Sequence, residues 1–150
     1  MGFIRFFMVL AATFAAVTAA PASPATLLAR QSSNDCGSSS FVNQSSGGSP
    51  TVSDCQALAD KFSNQVGQRS LSGGSQVTVD SSGTCGFGAQ GNTNTEGAIY
   101  FIGNQDAADI INSAIQQFGS TGVVGAEGKM SCQALVLGGN ADVNWAVFHT

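Results

Sequence analysis

The front of this chain decides how its cysteines behave, and the cysteines constrain what the rest can fold into. Met1–Ala19 carries one positive charge at Arg5, a mostly apolar run from Phe6 to Val17, and the small residues Val17-Thr18-Ala19. That is the layout of a secretory signal peptide. The predicted cut follows Ala19, because a cut after Ala20 would set Pro21 just beyond the scissile bond. The apolar core is too short to span a bilayer comfortably, and no second apolar segment is long enough to do so. A secreted, extracellular protein meets oxidising conditions, so its cysteines are expected in disulfides.

There are four: Cys36, Cys55, Cys85 and Cys132. An even count fits two bridges, with three connectivities open. The spacings are wide, with no Cys-x-x-Cys and no histidine pair, so a zinc site is not expected. Each bridge would close a long loop, worth roughly 3–4 kcal/mol in the chain-entropy model. About 120–130 residues remain after processing, enough for one modest core and too few for two.

Residues 20–30 form a low-complexity lead-in that reads either as a disordered tail or as a propeptide cut after Arg30. Residues 31–150 then make a single disulfide-bonded domain. With Arg5 and Arg30 removed, the basic residues are Lys61, Arg69 and Lys129 against nine acids, a net charge of −6. Such a surface repels nucleic acid and anionic lipid. Asn43-Gln44-Ser45 is an N-glycosylation sequon in a polar stretch, which makes Asn43 a candidate glycan site.

Apolar periodicity supplies the elements. A short edge strand is predicted near Ser40–Val42. Ser49 as cap and Pro50 at the first helical position open a helix over 50–66, with Val52, Cys55, Ala59, Phe62 and Val66 on one face and Gly67 as its stop. Strands are predicted at Gln76–Asp80, Thr84–Gln90 and Ala98–Ile102, the last as a central strand. A second helix over 104–118 follows, with Ile110, Ile111, Ala114, Ile115 and Phe118 as its stripe. A Gly-rich link at Gly122–Gly128, a strand near Lys129–Leu137, a turn at Gly138–Asn140 and a strand at Val143–Phe148 complete the order β-α-β-β-β-α-β-β. The expected fold is α+β: a two-layer sandwich of a mainly antiparallel sheet with two amphipathic helices on one face.

Catalytic patterns find little support. Gly86-Phe87-Gly88-Ala89-Gln90-Gly91 matches G-x-G-x-x-G, but a loop follows where a dinucleotide site needs a helix. His149, the sole histidine, is the penultimate residue and reads as a strand-end surface residue rather than a triad member. Asp106 and Asp109 lie one helical turn apart and offer the paired carboxylates that glycoside hydrolysis uses, yet the helix dipole already favours acids there, as it does Asp54. Trp145 and Tyr100 could stack on a sugar, but their strand context favours burial. No catalytic, cofactor-binding or metal-binding residue is assigned.

Several segments carry a resemblance. They are Ser40-Phe41-Val42-Asn43, Ser49-Pro50-Thr51-Val52-Ser53-Asp54-Cys55, Gly83-Thr84-Cys85-Gly86-Phe87-Gly88, Ile102 to Ile111, and Gly125 to Cys132. In this order they resemble the small secreted fungal effectors known as necrosis-inducing factors, homologues of a tomato leaf-mould extracellular protein. The resemblance covers most of residues 36–148, and the four cysteines fall where such proteins place theirs. It implies a non-enzymatic virulence factor that acts on a host or competing microbe, with a killer-toxin-like fold. Killer toxins of that fold tend to be basic, so the acidity here argues against channel blocking. The partner implied is a host or competitor protein or membrane component, met by a monomer. The alternative is a small secreted hydrolase or carbohydrate-binding cell-wall protein. Of the three pairings, Cys55 with Cys85 and Cys36 with Cys132 are favoured. The first would tie the first helix to the sheet, the second the N-terminal segment to a late strand.

Overall fold

A computed structural model describes residues 34–91, 97–135 and 138–150. The expected signal peptide at 1–19 and the lead-in at 20–30, with Arg30, lie outside the described residues. The elements run β1 (Cys36–Ser39), β2 (Val42–Asn43), α1 (Val52–Ser63), β3 (Gln68–Ser72), β4 (Val77–Ser82), β5 (Cys85–Gly91), β6 (Ile99–Gly103), α2 (Asn104–Phe118), a single 3-10 turn (Gly119–Thr121), β7 (Ala126–Leu135) and β8 (Gly139–His149). The class is α+β, a mostly antiparallel sheet with two helices.

The sheet has eight strands in the order β3-β6-β7-β8-β5-β4, with β1 and β2 paired to β7. β7 is its spine. β8 runs antiparallel along nearly its whole length, from Ala126↔Val147 to Ala134↔Gly139. The other edge of β7 is shared in relay by β2, β1 and β6. An isolated bridge between Gly73 and Gly91 draws the end of β3 toward β5. Lys61 and Arg69 both face Asp80, at 2.6 and 3.9 Å, linking α1, β3 and β4. Together these curl the sheet toward a barrel.

The core forms where helix stripes meet alternate strand positions. Leu58, Ala59 and Phe62 of α1 and Ala107, Ile110, Ile111 and Ala114 of α2 are buried in one cluster with Phe87, Tyr100, Ile102, Met130, Val143, Trp145 and Val147 from the strands. Phe62 meets Phe87 edge-on with ring centres 5.8 Å apart, and Phe41 meets Trp145 at 5.0 Å. Such aromatic pairs add about 0.5–1.5 kcal/mol beyond area burial. Cys55 joins Cys85 and Cys36 joins Cys132. The first bridge links α1 to the start of β5. The second crosses directly between paired residues of β1 and β7.

The structure moves several expected boundaries. The cap of α1 is Thr51, whose Oγ1 accepts from the Asp54 N–H at 3.2 Å. Ser49, the expected cap, instead accepts from the Ser46 N–H at 2.9 Å within its own turn. The helix stops at Ser63 rather than Val66. The carbonyls of Gln65 and Val66 accept from the side-chain amide of Asn104 at 3.2 and 3.3 Å, which fixes them outside the helix. β1 and β3 were not expected. β3 has a single buried apolar residue, Leu71, so it carries almost no periodic signal. The glycine-rich link gives way to β7 at Ala126, and β6 is flanked by β3 and β7, one strand in from the sheet's end.

Candidate binding face

Strand alternation divides the sheet into a face that meets the helices and one that does not. On β8, Val143, Trp145 and Val147 turn inward, which leaves Asn144, Ala146 and Phe148 on the outer face. Register then aligns outer side chains across strands. Lys129 of β7 stands opposite Asn144 of β8, and Asn144 opposite Gln90 of β5. The neighbouring row runs Val42, Glu127, Ala146, Gly88. It is low at Ala146, whose side chain is a single methyl, while the space left by Gly88 is taken by its neighbours.

A trough of about 410 Å³ lies between these rows, bounded by Ser40 and Val42 at one end and Gln76 and Gln90 at the other. A Cβ on Gly88 would meet the Gln76 amide at 2.7 Å and the Phe148 ring at 2.9 Å, so both lie against its bare backbone. Gln44 donates to Glu127 Oε1 at 2.7 Å and orients it. Ser40 Oγ accepts from the Lys129 N–H at 3.0 Å, and the Ser40 N–H donates to the Lys129 carbonyl at 2.9 Å. With Lys61 and Arg69 engaged by Asp80, Lys129 is the only cation without an ion pair among the described residues. Val42 is 51% exposed here, an apolar side chain in a polar frame.

Of the residues singled out from sequence, Gln90 of the glycine motif and Trp145 line this trough, and the others sit elsewhere. Asp106 and Asp109 do line one depression of about 260 Å³, beside Cys36 and Phe41. Asp106 is buried, and its Oδ2 accepts from the N–H groups of Asp35, Cys36 and Gly103 at 2.8, 3.1 and 3.0 Å. It pins β1 to the start of α2. Burial pushes its carboxyl above the usual range, against the pull of those three N–H groups, and the nearby Asp35 adds to the rise. Asp109 accepts from the Gln105 amide at 2.7 Å. Asp54 accepts from the hydroxyl and N–H of Thr84 at 2.6 and 2.9 Å, and the Thr84 hydroxyl holds its carboxyl below the usual range.

His149 is exposed at the end of β8, opposite Cys85. Trp145 and Tyr100 are buried. The glycine motif is β5 itself. A Cβ on Gly86 would meet Thr150 and Phe148, and one on Gly91 the Tyr100 ring, so these glycines serve packing. Among the described residues no group of three or more His, Cys, Asp or Glu could hold a metal ion. Asn43 is exposed at the end of β2, its Oδ1 accepting from the Ser45 N–H at 2.9 Å. Sequence reasoning passed over Gln76, Gln90, Glu127, Lys129 and Asn144 as binding residues. The only local mark of Gln90, Glu127, Lys129 and Asn144 is an outward position on an alternating strand, and Gln76 lies just before one.

Residues 35–132 match the family described as "Pathogen effector; putative necrosis-inducing factor". The chain belongs to this effector family. It is also similar to two curated proteins of Penicillium expansum. One, named "Probable chitinase LysM18", is 30% identical over 113 residues, which is 75% of this chain and 8% of that protein. The other, named "Secreted chitinase LysM12", is 25% identical over 111 residues, 73% of this chain and 7% of that protein. The effector-family chain therefore spans less than a tenth of the length of these relatives. Among its described residues, no helix is long and apolar enough to cross a membrane.

Proposed function

We propose that this chain is a secreted effector that acts by binding a component of a host or of a competing microbe, through the outer face of its sheet and without catalysis. Family membership supports the effector role. The observation that carries the binding mechanism is the contrast between the two depressions. The acidic one spends the Asp106 carboxylate on three backbone N–H groups, while the outer trough presents the side chains of Gln76, Lys129 and Asn144 without a hydrogen-bond partner among the described residues. In this reading the fold is a killer-toxin-like two-layer sandwich, the leader at 1–19 directs export, Asn43 carries an N-glycan, and the mature domain works as a monomer with neither cofactor nor metal.

A second reading concerns the target. Both relatives are named as chitinases, and they share with this chain only a stretch of about its own size. In a long wall-degrading protein, such a stretch suits a module that holds the polymer rather than one that cuts it. The target in this reading is a chitinous wall.

The test is leaf infiltration and co-culture with a competing fungus, scored as cell death or growth inhibition. Wild type, Asn144→Ala, Asp109→Asn and His149→Ala are compared at equal folded content. Activity is expected to fall with Asn144→Ala and to persist in the other two. Loss of activity in Asp109→Asn or His149→Ala would point to catalysis and overturn the binding mechanism.

A further inference from the structure

Three outer side chains stand in one line across the sheet, one per strand: Lys129 on β7, Asn144 on β8 and Gln90 on β5. Adjacent strands set them ~4.8 Å apart. Their hydrogen-bonding capacity is largely unspent. The side chains of Asn144 and Lys129, like that of Gln76, make no hydrogen bond to other described residues, and Gln90 uses only its amide N–H, on the Gly74 carbonyl at 2.5 Å. The trough beside this line holds one acid and one base, so it is close to neutral, and its floor is low at Ala146.

These properties select a ligand class. A polyanion would meet a single cation on an acidic protein. A purely apolar ligand would strip water from the amides and give them nothing in return. A linear, neutral polymer that offers a hydroxyl or amide at each repeat, with a repeat close to the strand spacing, answers the line residue by residue.

We propose that the Lys129–Asn144–Gln90 line and its trough bind a β-1,4-linked chain of N-acetylglucosamine lying across the strands. This rests on the chitinous-wall reading above. Hydroxyls and acetamido carbonyls meet the amides of Asn144 and Gln76, the Gln90 carbonyl accepts a hydroxyl or N–H, and Lys129 donates to a ring or acetyl oxygen. Val42 and Ala146 supply apolar contact for acetyl methyls.

The experiment is calorimetric titration of the disulfide-intact protein with a chitin oligosaccharide and a cellulose oligosaccharide of equal length, the second lacking acetamido groups. Wild type should bind the chitin oligosaccharide and discriminate against the other. Asn144→Ala should weaken binding on the order of 10-fold, and Ala146→Gln, which fills the trough from the surface, should do the same. Gln116→Ala, on the exposed side of α2, should bind as wild type. Circular dichroism checks that each variant folds. No binding by wild type, equal affinity for both oligosaccharides, or unchanged affinity in Asn144→Ala and Ala146→Gln would overturn the proposal. If wild type binds no chitin but Asn144→Ala still abolishes the leaf or competitor response, the outer face remains the working surface and only its glycan ligand falls.

Discussion

At the scale of single residues, Asp54 and Asp106 show how position alone sets a carboxylate's role. Both lie in the first turn of a helix, where the dipole favours an acid. Asp54 is held charged by Thr84, and its pKa is lowered. Its contribution to stability is therefore present above the unfolded-state pKa and is lost as pH falls through the folded one. Asp106 runs the other way. Burial raises its pKa, so its contribution is fully present below the unfolded-state value and is lost as pH rises through the folded one. Thermal midpoints of wild type, Asp54→Asn and Asp106→Asn should diverge accordingly. Asp54→Asn should melt below wild type at neutral pH and converge with it in acid. The difference between wild type and Asp106→Asn should shift against wild type as pH rises. Asp106→Ala removes the acceptor of three N–H groups and should cost at least about 1–3 kcal/mol by urea unfolding. The helix-start position of Asp106 was legible in the sequence. Its grip on Asp35 and Cys36, some seventy residues away, was not, because nothing local marks which strand will lie beside a helix N-terminus.

Elements were legible in proportion to their apolar periodicity. α2 has a wide stripe, and its bounds match the expected 104–118. α1 overran, because the pattern continues to Val66 while the chain is turned away by a side-chain amide from α2. β3, with Leu71 its only apolar residue, left no trace. Two substitutions test what holds the elements. Thr51→Ala removes the cap of α1 and should cost about 1 kcal/mol in chemical denaturation. Gly128→Ala should cost about 1–3 kcal/mol, since its Cβ would fall on the Ser40 carbonyl and within 2.7 Å of the Trp145 ring. That substitution should also loosen β1 and β2, seen as faster amide exchange in both strands.

For the whole molecule, the two bridges differ in access. Cys55 and Cys85 are fully buried, whereas Cys36 is partly exposed and lines two surface depressions. Stepwise reduction with alkylation and peptide mapping should therefore label Cys36 and Cys132 first. Labelling of Cys55 and Cys85 at equal or lower reductant would show that access does not govern the order. Replacing Cys55 and Cys85 together by alanine should cost about 3–4 kcal/mol. What the sequence by itself determined is whatever repeats locally: two helices, most of the strands, and a chain shaped by paired cysteines. Only the tertiary structure decided that β7, late in the chain, becomes the spine of the sheet, and that Lys129, Asn144 and Gln90 fall into one line. The physical reason is range. Helical and strand periods are set within a few residues, whereas register and strand order are settled by burial and hydrogen bonding between segments far apart in the chain.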